Sequence, residues 1–184
     1  GSDSEMPQMC GYFKCNSTGK KLTSQDMADA FRAKVTWAHQ DFAEGRTLSY
    51  AYDHFIPAIY SECPSTRCIN INDLEVYSRG ALNVMKLIGM TQGKLDGSPS
   101  KYYLSGDGDT DQCVSATADG FFQPDKNLLD LVKKGERLGT IKSLSGELLE
   151  EIFSPIQGYV GMRRMLPSTH VGDSLFMIVD GFKS

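Results

Sequence analysis

The chain has 184 residues, of which 40% are hydrophobic and 23% are charged, and its formal net charge is −4. This length suits one medium-sized domain or two small ones, and the composition is that of an ordinary globular protein. The negative charge and the scattered basic residues argue against a nucleic-acid-binding surface and a membrane-surface patch. No apolar run approaches the roughly 20 residues that span a bilayer.

Four of the five cysteines form two pairs with the pattern C-x4-C. The pairs are Cys10 with Cys15 and Cys63 with Cys68. Four such thiolates are a possible zinc site, but unrelated thiols are the interpretation that we favour. A sparse, odd number of cysteines is typical of a reducing compartment rather than of a disulfide scaffold. We therefore expect a cytoplasmic protein.

The first predicted element is a long amphipathic helix. Thr23 or Ser24 is a suitable N-cap, and five apolar residues then recur at spacings of three and four until the helix ends near Gly45. That spacing places them on one helix face. A second, short helix is expected over residues 47–54. The five apolar residues are Met27, Phe31, Val35, Ala38 and Phe42.

A short apolar run over residues 56–60 follows and leads to Glu62. Pro57 has no backbone N–H to donate, so the run is predicted to form the start of a strand or an edge strand. This places the carboxylate of Glu62 at the end of the predicted strand. On these residues alone, the expectation for Glu62 is a solvated or salt-bridged side chain at a strand end.

The next element is a helix that ends near Gly89. Asn72 and Glu75 have the spacing of a capping box at its start, and several later apolar residues fall broadly on one face. Residues 24–90 are thus predicted to form helix, strand and helix, which is a part of an α/β layer.

The composition changes after residue 92. Gly, Ser, Asp and Lys are frequent there, and we place a linker over 93–105, between a domain over 3–92 and a domain over 106–184. Beyond the linker, short apolar runs alternate with glycine-containing turns, which is typical of an all-β sandwich or barrel. The predicted fold class is an α/β layer followed by an all-β domain.

Two further patterns resemble metal sites, but we interpret both as turns. His170 and Asp173 have the spacing of a ligand pair, yet their surroundings also fit a turn that enters a strand. Asp107, Asp109 and Asp111 alternate as they do at the start of a calcium loop. The glycine and the glutamate that such a loop needs further along do not follow, so a solvated acidic turn is favoured.

Two sets of short motifs occur in a fixed order along the chain. The first set is Ile56-Pro57-Ala58, Glu62, Gly80, Asn83, Val84, Gly89 and Met90. The second set is Gly120 to Pro124, Val132 to Gly139, Gly146, Ser154 to Val160 and Val171 to Leu175. Their order and spacing, over roughly residues 24–180, resemble the succinylglutamate desuccinylase/aspartoacylase family. The resemblance implies a partial carboxypeptidase-like layer, a barrel-sandwich-like C-terminal domain, and zinc-dependent hydrolysis of N-acyl amino acids or related amides.

The resemblance also implies a catalytic role for Glu62. In that family, the glutamate at this strand end takes a proton from a zinc-activated water and passes a proton to the leaving amine. Zinc lowers the pKa of a bound water to about 7, which lets a nearby carboxylate act as general base. Arg67, in the loop that follows, is the candidate contact for a substrate carboxylate, which an arginine can bind through two hydrogen bonds. An ordinary surface arginine is the competing interpretation.

The zinc ligands of that family are a His-x-x-Glu pair and a third histidine, all upstream of the catalytic glutamate. This chain has no His-x-x-Glu, and His39 and His54 fall on predicted helices. We therefore expect the C-terminal half of a longer enzyme, with zinc in the full-length enzyme, none in this chain, and no activity of this chain alone. A partial layer exposes a sheet edge and apolar helix faces, so we also predict a homo-oligomer.

The alternative function is a complete, non-catalytic β-rich binding or assembly module, in which Glu62 is only structural. The later part also resembles lipoyl- and biotin-carrying domains, which present a lysine at a hairpin tip. The candidate hairpin, SLSGELLEE, has no lysine at its tip, which argues against a carrier. The expected partner of the enzyme is a small N-acyl amino acid or amide, with no nucleic acid and no membrane.

Overall fold

The structure is a computed structural model. It describes residues 3–13, 22–39, 44–64, 68–106 and 113–183. The chain divides into two compact units, which we call the α/β unit (residues 8–108 and 182–184) and the β unit (residues 1–7 and 109–181). None of the helices in the described ranges is long and apolar enough to cross a membrane.

Strand β1 (Ser4–Glu5) belongs to the β unit, and the elements of the α/β unit follow it along the chain. They are β2 (Met9–Phe13), α1 (Ser24–Phe31), β3 (Val35–His39), α2 (Thr47–Asp53), β4 (Ile59–Glu62), α3 (Ile71–Leu87) and β5 (Tyr102–Ser105). The strand order is β5-β3-β2-β4. β5, β3 and β2 are parallel neighbours, whereas β4 runs antiparallel to β2.

The long first helix predicted from the sequence is wrong. Helix α1 ends at Phe31 because Arg32 has a left-handed conformation with φ 57°, and Val35–His39 forms β3. A strand in the middle of a parallel sheet is buried on both faces, so its residues need not alternate. Val35 and Ala38 therefore matched a helical spacing by chance, and His39 lies on a strand rather than on a helix.

The helix starts depend on short side-chain caps. Thr23 Oγ1 accepts from the Asp26 N–H at 3.1 Å while the Asp26 carboxylate accepts from the Thr23 N–H at 2.8 Å, which confirms the predicted cap. The Thr23 hydroxyl and N–H hold the pKa of Asp26 below its usual range. Helix α3 begins earlier than predicted, because Asn70 caps it by accepting from the Asn72 N–H at 2.9 Å.

Helices α1 and α3 pack on one face of the sheet. A Cβ on Gly80 of α3 would lie 2.5 Å from the ring of Phe31 on α1, so the glycine allows the two helices to approach closely. The cluster that they form with the sheet is Cys10, Tyr12, Ala28, Phe31, Ala33, Ala38, Ile59, Val76, Tyr77 and Val84.

The segment that the sequence indicates as a linker is docked on the α/β unit. The Asn83 side chain of α3 donates to the Asp96 carbonyl at 2.8 Å and accepts from the Asp96 N–H at 2.9 Å. The Arg32 guanidinium donates to the Leu95 carbonyl at 3.1 Å. Residues 102–105 then form β5, and Tyr103 stacks on Phe182 with ring centroids 5.5 Å apart.

The described residues of the β unit form strands and no helix. The strands are β6 (Val114–Ser115), β7 (Gly120–Pro124), β8 (Leu131–Val132), β9 (Arg137–Lys142), β10 (Leu148–Phe153), β11 (Gly158–Arg164), β12 (Ser168–Thr169) and β13 (Ser174–Lys183). One antiparallel sheet has the order β10-β9-β7-β12. In the other strands of this unit, β11 pairs with β1, β8 and β13, and β13 also pairs with β6. The fully buried side chains of its core include Val132, Leu138, Ile141, Val160, Leu175 and Phe176.

Replacing Gly80 by alanine is expected to destabilise the protein, although alanine favours a helix by about 1 kcal/mol. The new methyl group would overlap the buried Phe31 ring, which costs about 1–3 kcal/mol in a packed core. Urea unfolding measures the difference, with Ser78→Ala on the exposed face of the same helix as control. A Gly80→Ala variant that is more stable than the parent would contradict the close helix contact.

Candidate active site at the end of strand β4

Glu62 is the last residue of β4, and its side chain is partly buried. The register places Glu62 opposite Met9, and Tyr60 opposite Gly11. Because side chains alternate along a strand, these four residues share one face of the sheet, and Trp37 joins them from β3. Helices α1 and α3 pack on the other face. Glu62 is therefore held on the face of the sheet opposite these two helices.

Tyr77 of α3 anchors the end of β4. Its hydroxyl donates to the backbone carbonyl of Glu62. Burial raises the pKa of Tyr77, a hydrogen bond involving the Met9 backbone lowers it, and Cys63 is among the acidic groups nearby that raise it further. The net shift is upward, so the phenol stays protonated and remains a donor at neutral pH. Near the start of the same helix, Asp73 is buried and accepts from the side chain of Gln8, which precedes β2.

Tyr60 anchors the same strand on the opposite face. Its hydroxyl lies 2.5 Å from Nε2 of His39, whose Nδ1 lies 3.0 Å from the Gly106 carbonyl oxygen. A carbonyl only accepts, so Nδ1 carries the proton in the neutral ring, and Nε2 accepts from Tyr60. The Tyr60 ring lies so close to Gly11 that any side chain there would overlap it. Gly106, His39 and Tyr60 thus form a hydrogen-bonded chain across the sheet.

Burial and three nearby ionisable side chains shift the pKa of Tyr60. Burial raises the pKa of Tyr60, the carboxylate of Glu62 and then the thiol of Cys10 raise it further, and the cation of Arg46 opposes them. Arg46 is not among the candidates from the sequence, because no spacing along the chain reveals that it lies near Tyr60 of β4. It also lines a cavity of about 570 Å³. The lining residues are Glu44, Gly45, Arg46, Ser49, Tyr50 and Asp53.

His39 is 2% exposed and has aromatic neighbours. The rings of Phe13 and Trp37 have their centroids 5.2 Å and 5.7 Å from the imidazole. Both ring nitrogens already take part in hydrogen bonds. The position of His39 is therefore that of a satisfied core histidine rather than of a metal ligand.

The described ranges contain no group of three or more His, Cys, Asp or Glu side chains that could hold a metal ion. Cys10 is buried, whereas Cys63 and Cys68 are exposed. Cys15 lies outside the described residues. The three described cysteines of the C-x4-C patterns therefore belong to no such group.

The turn interpretation of His170 and Asp173 is confirmed. The His170 N–H donates to the Asp173 carboxylate at 2.9 Å, and the Asp173 N–H donates to the His170 carbonyl at 3.0 Å. Arg67, the candidate substrate contact, lies outside the described residues. The same holds for the alternating aspartates at positions 107, 109 and 111.

Neither a protein-family model nor a curated protein sequence matches the chain. Among solved structures, the ectoine utilization protein EutE (DoeB) from Ruegeria pomeroyi, in its apo form, matches with a TM-score of 0.86 and 17% identity. The match covers 97% of this chain and 57% of that one. A succinylglutamate desuccinylase from Silicibacter sp. TM1040 matches with a TM-score of 0.83 and 18% identity over 99% of this chain and 56% of its own.

A succinylglutamate desuccinylase/aspartoacylase from Rhodobacter sphaeroides matches with a TM-score of 0.81 and 18% identity, over 100% of this chain and 56% of its own. The chain has the fold of these desuccinylase/aspartoacylase proteins. The resemblance predicted from the sequence is thus confirmed at the level of the fold. The chain spans little more than half the length of the proteins that it matches, in agreement with the prediction that it corresponds to their C-terminal half.

Replacing Tyr60 by phenylalanine is expected to destabilise the protein by about 1–3 kcal/mol, because it leaves a buried ring nitrogen of His39 without its donor. Tyr50→Phe is the control, since Tyr50 is exposed and should lose little. ¹⁵N NMR of the imidazole tests the same point in the parent protein. It should show a protonated Nδ1 and an unprotonated Nε2, and the opposite tautomer would contradict the assigned hydrogen-bond chain.

Burial, with a smaller contribution from the Asp29 carboxylate, raises the pKa of the Cys10 thiol to about 12. The unfolded chain releases this proton from about pH 9, while the folded protein keeps it. The stabilising effect of this shift is therefore complete below about pH 9 and is lost as the pH rises towards 12. The loss of unfolding free energy between pH 8 and pH 10 should be about 1 kcal/mol smaller in Cys10→Ala than in the parent.

Urea unfolding at the two pH values measures this difference, and Cys68→Ala, at an exposed cysteine, is the matched control. An equal pH dependence in the parent and in Cys10→Ala would show that the buried thiol does not hold its proton as expected.

Proposed function

We propose that this chain is the C-terminal half of a zinc-dependent amide hydrolase of the desuccinylase/aspartoacylase type. Its substrates would be N-acyl amino acids or related amides, and Glu62 would be its general base. The observation that carries the proposal is the anchored position of Glu62 at the end of β4. The shared fold, over 97–100% of this chain, supports it.

The surroundings of Glu62 suit a general base because they fix its backbone from two sides. Tyr77 holds the carbonyl of Glu62 from one face of the sheet, and Tyr60 is tied to His39 on the other. A base must stay within hydrogen-bond reach of the proton that it removes, and a rigid strand end with supporting contacts provides this better than a loop. In the proposed reaction, the Glu62 carboxylate accepts a proton from the attacking water and delivers a proton to the leaving amine.

Zinc belongs to the full-length enzyme in this proposal. The residues that the structure describes do not fit a zinc ion by themselves, because they include no group of three suitable side chains. Both nitrogens of His39 are engaged elsewhere. The proposal therefore assigns the zinc ligands to the other half of the longer protein, while this chain contributes the base.

The remaining parts of the proposal concern the substrate. Arg67 follows Glu62 by five residues and is proposed to bind a substrate carboxylate, which suits an N-acyl amino acid. The β unit is proposed to be the barrel-sandwich-like domain that accompanies such a catalytic layer. The substrate is a small molecule in this proposal, and the cytoplasm remains the predicted location.

Glu62→Gln, made in the longer protein, is expected to lower kcat at least about 100-fold, because an amide cannot accept the proton of the attacking water. KM should change little, because the substitution keeps the size of the side chain. Glu75→Gln removes the same charge from an exposed position on α3 and should leave kcat unchanged. Hydrolysis of N-acetyl-aspartate and N-succinyl-glutamate provides the assay. Equal activity of Glu62→Gln and the parent would exclude Glu62 as the base.

The isolated chain is expected to contain no stoichiometric zinc and to hydrolyse neither compound. One tightly bound zinc per chain would contradict the assignment of the ligands to the other half. If that zinc disappeared when Cys10, Cys15, Cys63 and Cys68 were replaced by serine, the ion would belong to a structural thiolate site instead.

A further inference from the structure

Two exposed cysteines flank the connection between β4 and α3. Cys63 comes directly after the last residue of β4, and Cys68 lies three residues before α3 begins. Both are thiols, and both side chains are exposed. Because both cysteines belong to this chain, a bond between them does not depend on which partner covers the neighbouring surface.

Contacts that involve neither cysteine hold the two ends of this connection together. The Tyr77 hydroxyl of α3 donates to the carbonyl of Glu62, the last residue of β4. The carboxylate of Asp73, in the first turn of α3, accepts from the side chain of Gln8, which directly precedes β2 beside the end of β4. The connection therefore starts and ends at the same end of these two strands.

Cys63 lies on the side of the sheet where α3 packs. Glu62 is on the opposite face, and side chains alternate along a strand, so the next position turns towards α3. Burial is the largest cause of the raised pKa of Tyr77, and the thiol of Cys63 is among the acidic groups that raise it further. This thiol is therefore close to the Tyr77 hydroxyl. Cys68 leads into the same helix through the cap residue Asn70.

The path of the chain between the two cysteines bears on whether they can be joined. A disulfide needs Cα atoms about 4.4–6.8 Å apart. A fully extended chain would hold Cys63 and Cys68 about 17 Å apart, so a disulfide requires the chain to turn back. The chain bends at Pro64 and again at Cys68, and the contacts of Glu62 and Asp73 bring its ends together. These features favour an approach of the two sulfur atoms that the C-x4-C spacing alone does not provide.

We propose that Cys63 and Cys68 form a redox-active pair, which a small disulfide such as oxidised glutathione converts reversibly into an intramolecular disulfide. The thiolate of one cysteine attacks a sulfur atom of oxidised glutathione, which forms a mixed disulfide and releases one glutathione thiolate. The thiolate of the other cysteine then attacks the protein sulfur atom of the mixed disulfide and releases the second glutathione. In total, the two cysteines lose two protons and two electrons, and one oxidised glutathione becomes two reduced molecules.

The exposure of the pair determines what kind of disulfide it forms. Exposed disulfides have higher reduction potentials than structural ones and are the labile, regulatory type. In a reducing compartment such bonds are transient, so the thiol form is the resting state and the disulfide forms under oxidising conditions. The pair adjoins Glu62, but it does not depend on the catalytic role proposed for that residue, because the reaction needs only the two thiols and the oxidant.

Mass spectrometry of the chain, equilibrated in dilute solution with mixtures of reduced and oxidised glutathione, tests for this disulfide. The remaining thiols are blocked with iodoacetamide before digestion. Trypsin cleaves after Arg46, Arg67 and Arg79, so Cys63 and Cys68 fall in the separate peptides 47–67 and 68–79. In the most oxidising mixture, most molecules of the parent chain should give these two peptides joined by a disulfide, and dithiothreitol should separate them.

Cys63→Ser and Cys68→Ser should each abolish the joined peptides and leave the other cysteine as a mixed disulfide with glutathione. Cys113→Ser is the matched control, because Cys113 belongs to the β unit, and it should form the same disulfide as the parent. A parent chain in which both cysteines are found only as thiols or as mixed disulfides with glutathione would overturn the proposal. A disulfide of either cysteine with Cys15, or with a second chain, in place of the expected one would overturn it as well.

Discussion

The candidate site depends on the register of β4 against β2. A slip of one residue would turn Glu62 to the face that α1 and α3 cover, because side chains alternate along the strand. Two tyrosines hold this register. Tyr60 fits over Gly11, where no side chain could stand, and bonds to His39. Tyr77 reaches the last carbonyl of the strand from α3. Glu62 is thus held on one face of the sheet, although no strand in the described residues pairs with the outer side of β4.

Helix α3 contacts several parts of the α/β unit, each through a different side of the helix. Its inner side contacts α1 closely through Gly80, and its first turns fix the end of β4 and the start of β2. Its flank holds the chain that leads to β5 through the amide of Asn83. Only the remaining side, which includes Ile71, Leu74 and Leu82, is exposed. A change on the inner side should therefore affect the position of Glu62, while a change on the exposed side should not.

The sequence predicted α2, β4 and the position of Glu62 well, because these depend on local patterns and on the order of short motifs. It failed at β3, where a strand buried on both faces mimics helical spacing. The sequence could not predict the contacts that form the site. The His39 bond to Gly106 spans 67 residues, and that to Tyr60 spans 21. Arg46, which precedes α2, lies close enough to Tyr60 to lower its pKa. No spacing along the chain encodes such neighbours.

The edge position of β4 has a consequence for the role proposed for Glu62. A base in the middle of a sheet could receive partner groups only from its own neighbouring strands, whereas a base on an edge strand can receive them from a further strand that pairs alongside. This suits the proposed function, in which the metal ligands come from another part of the protein.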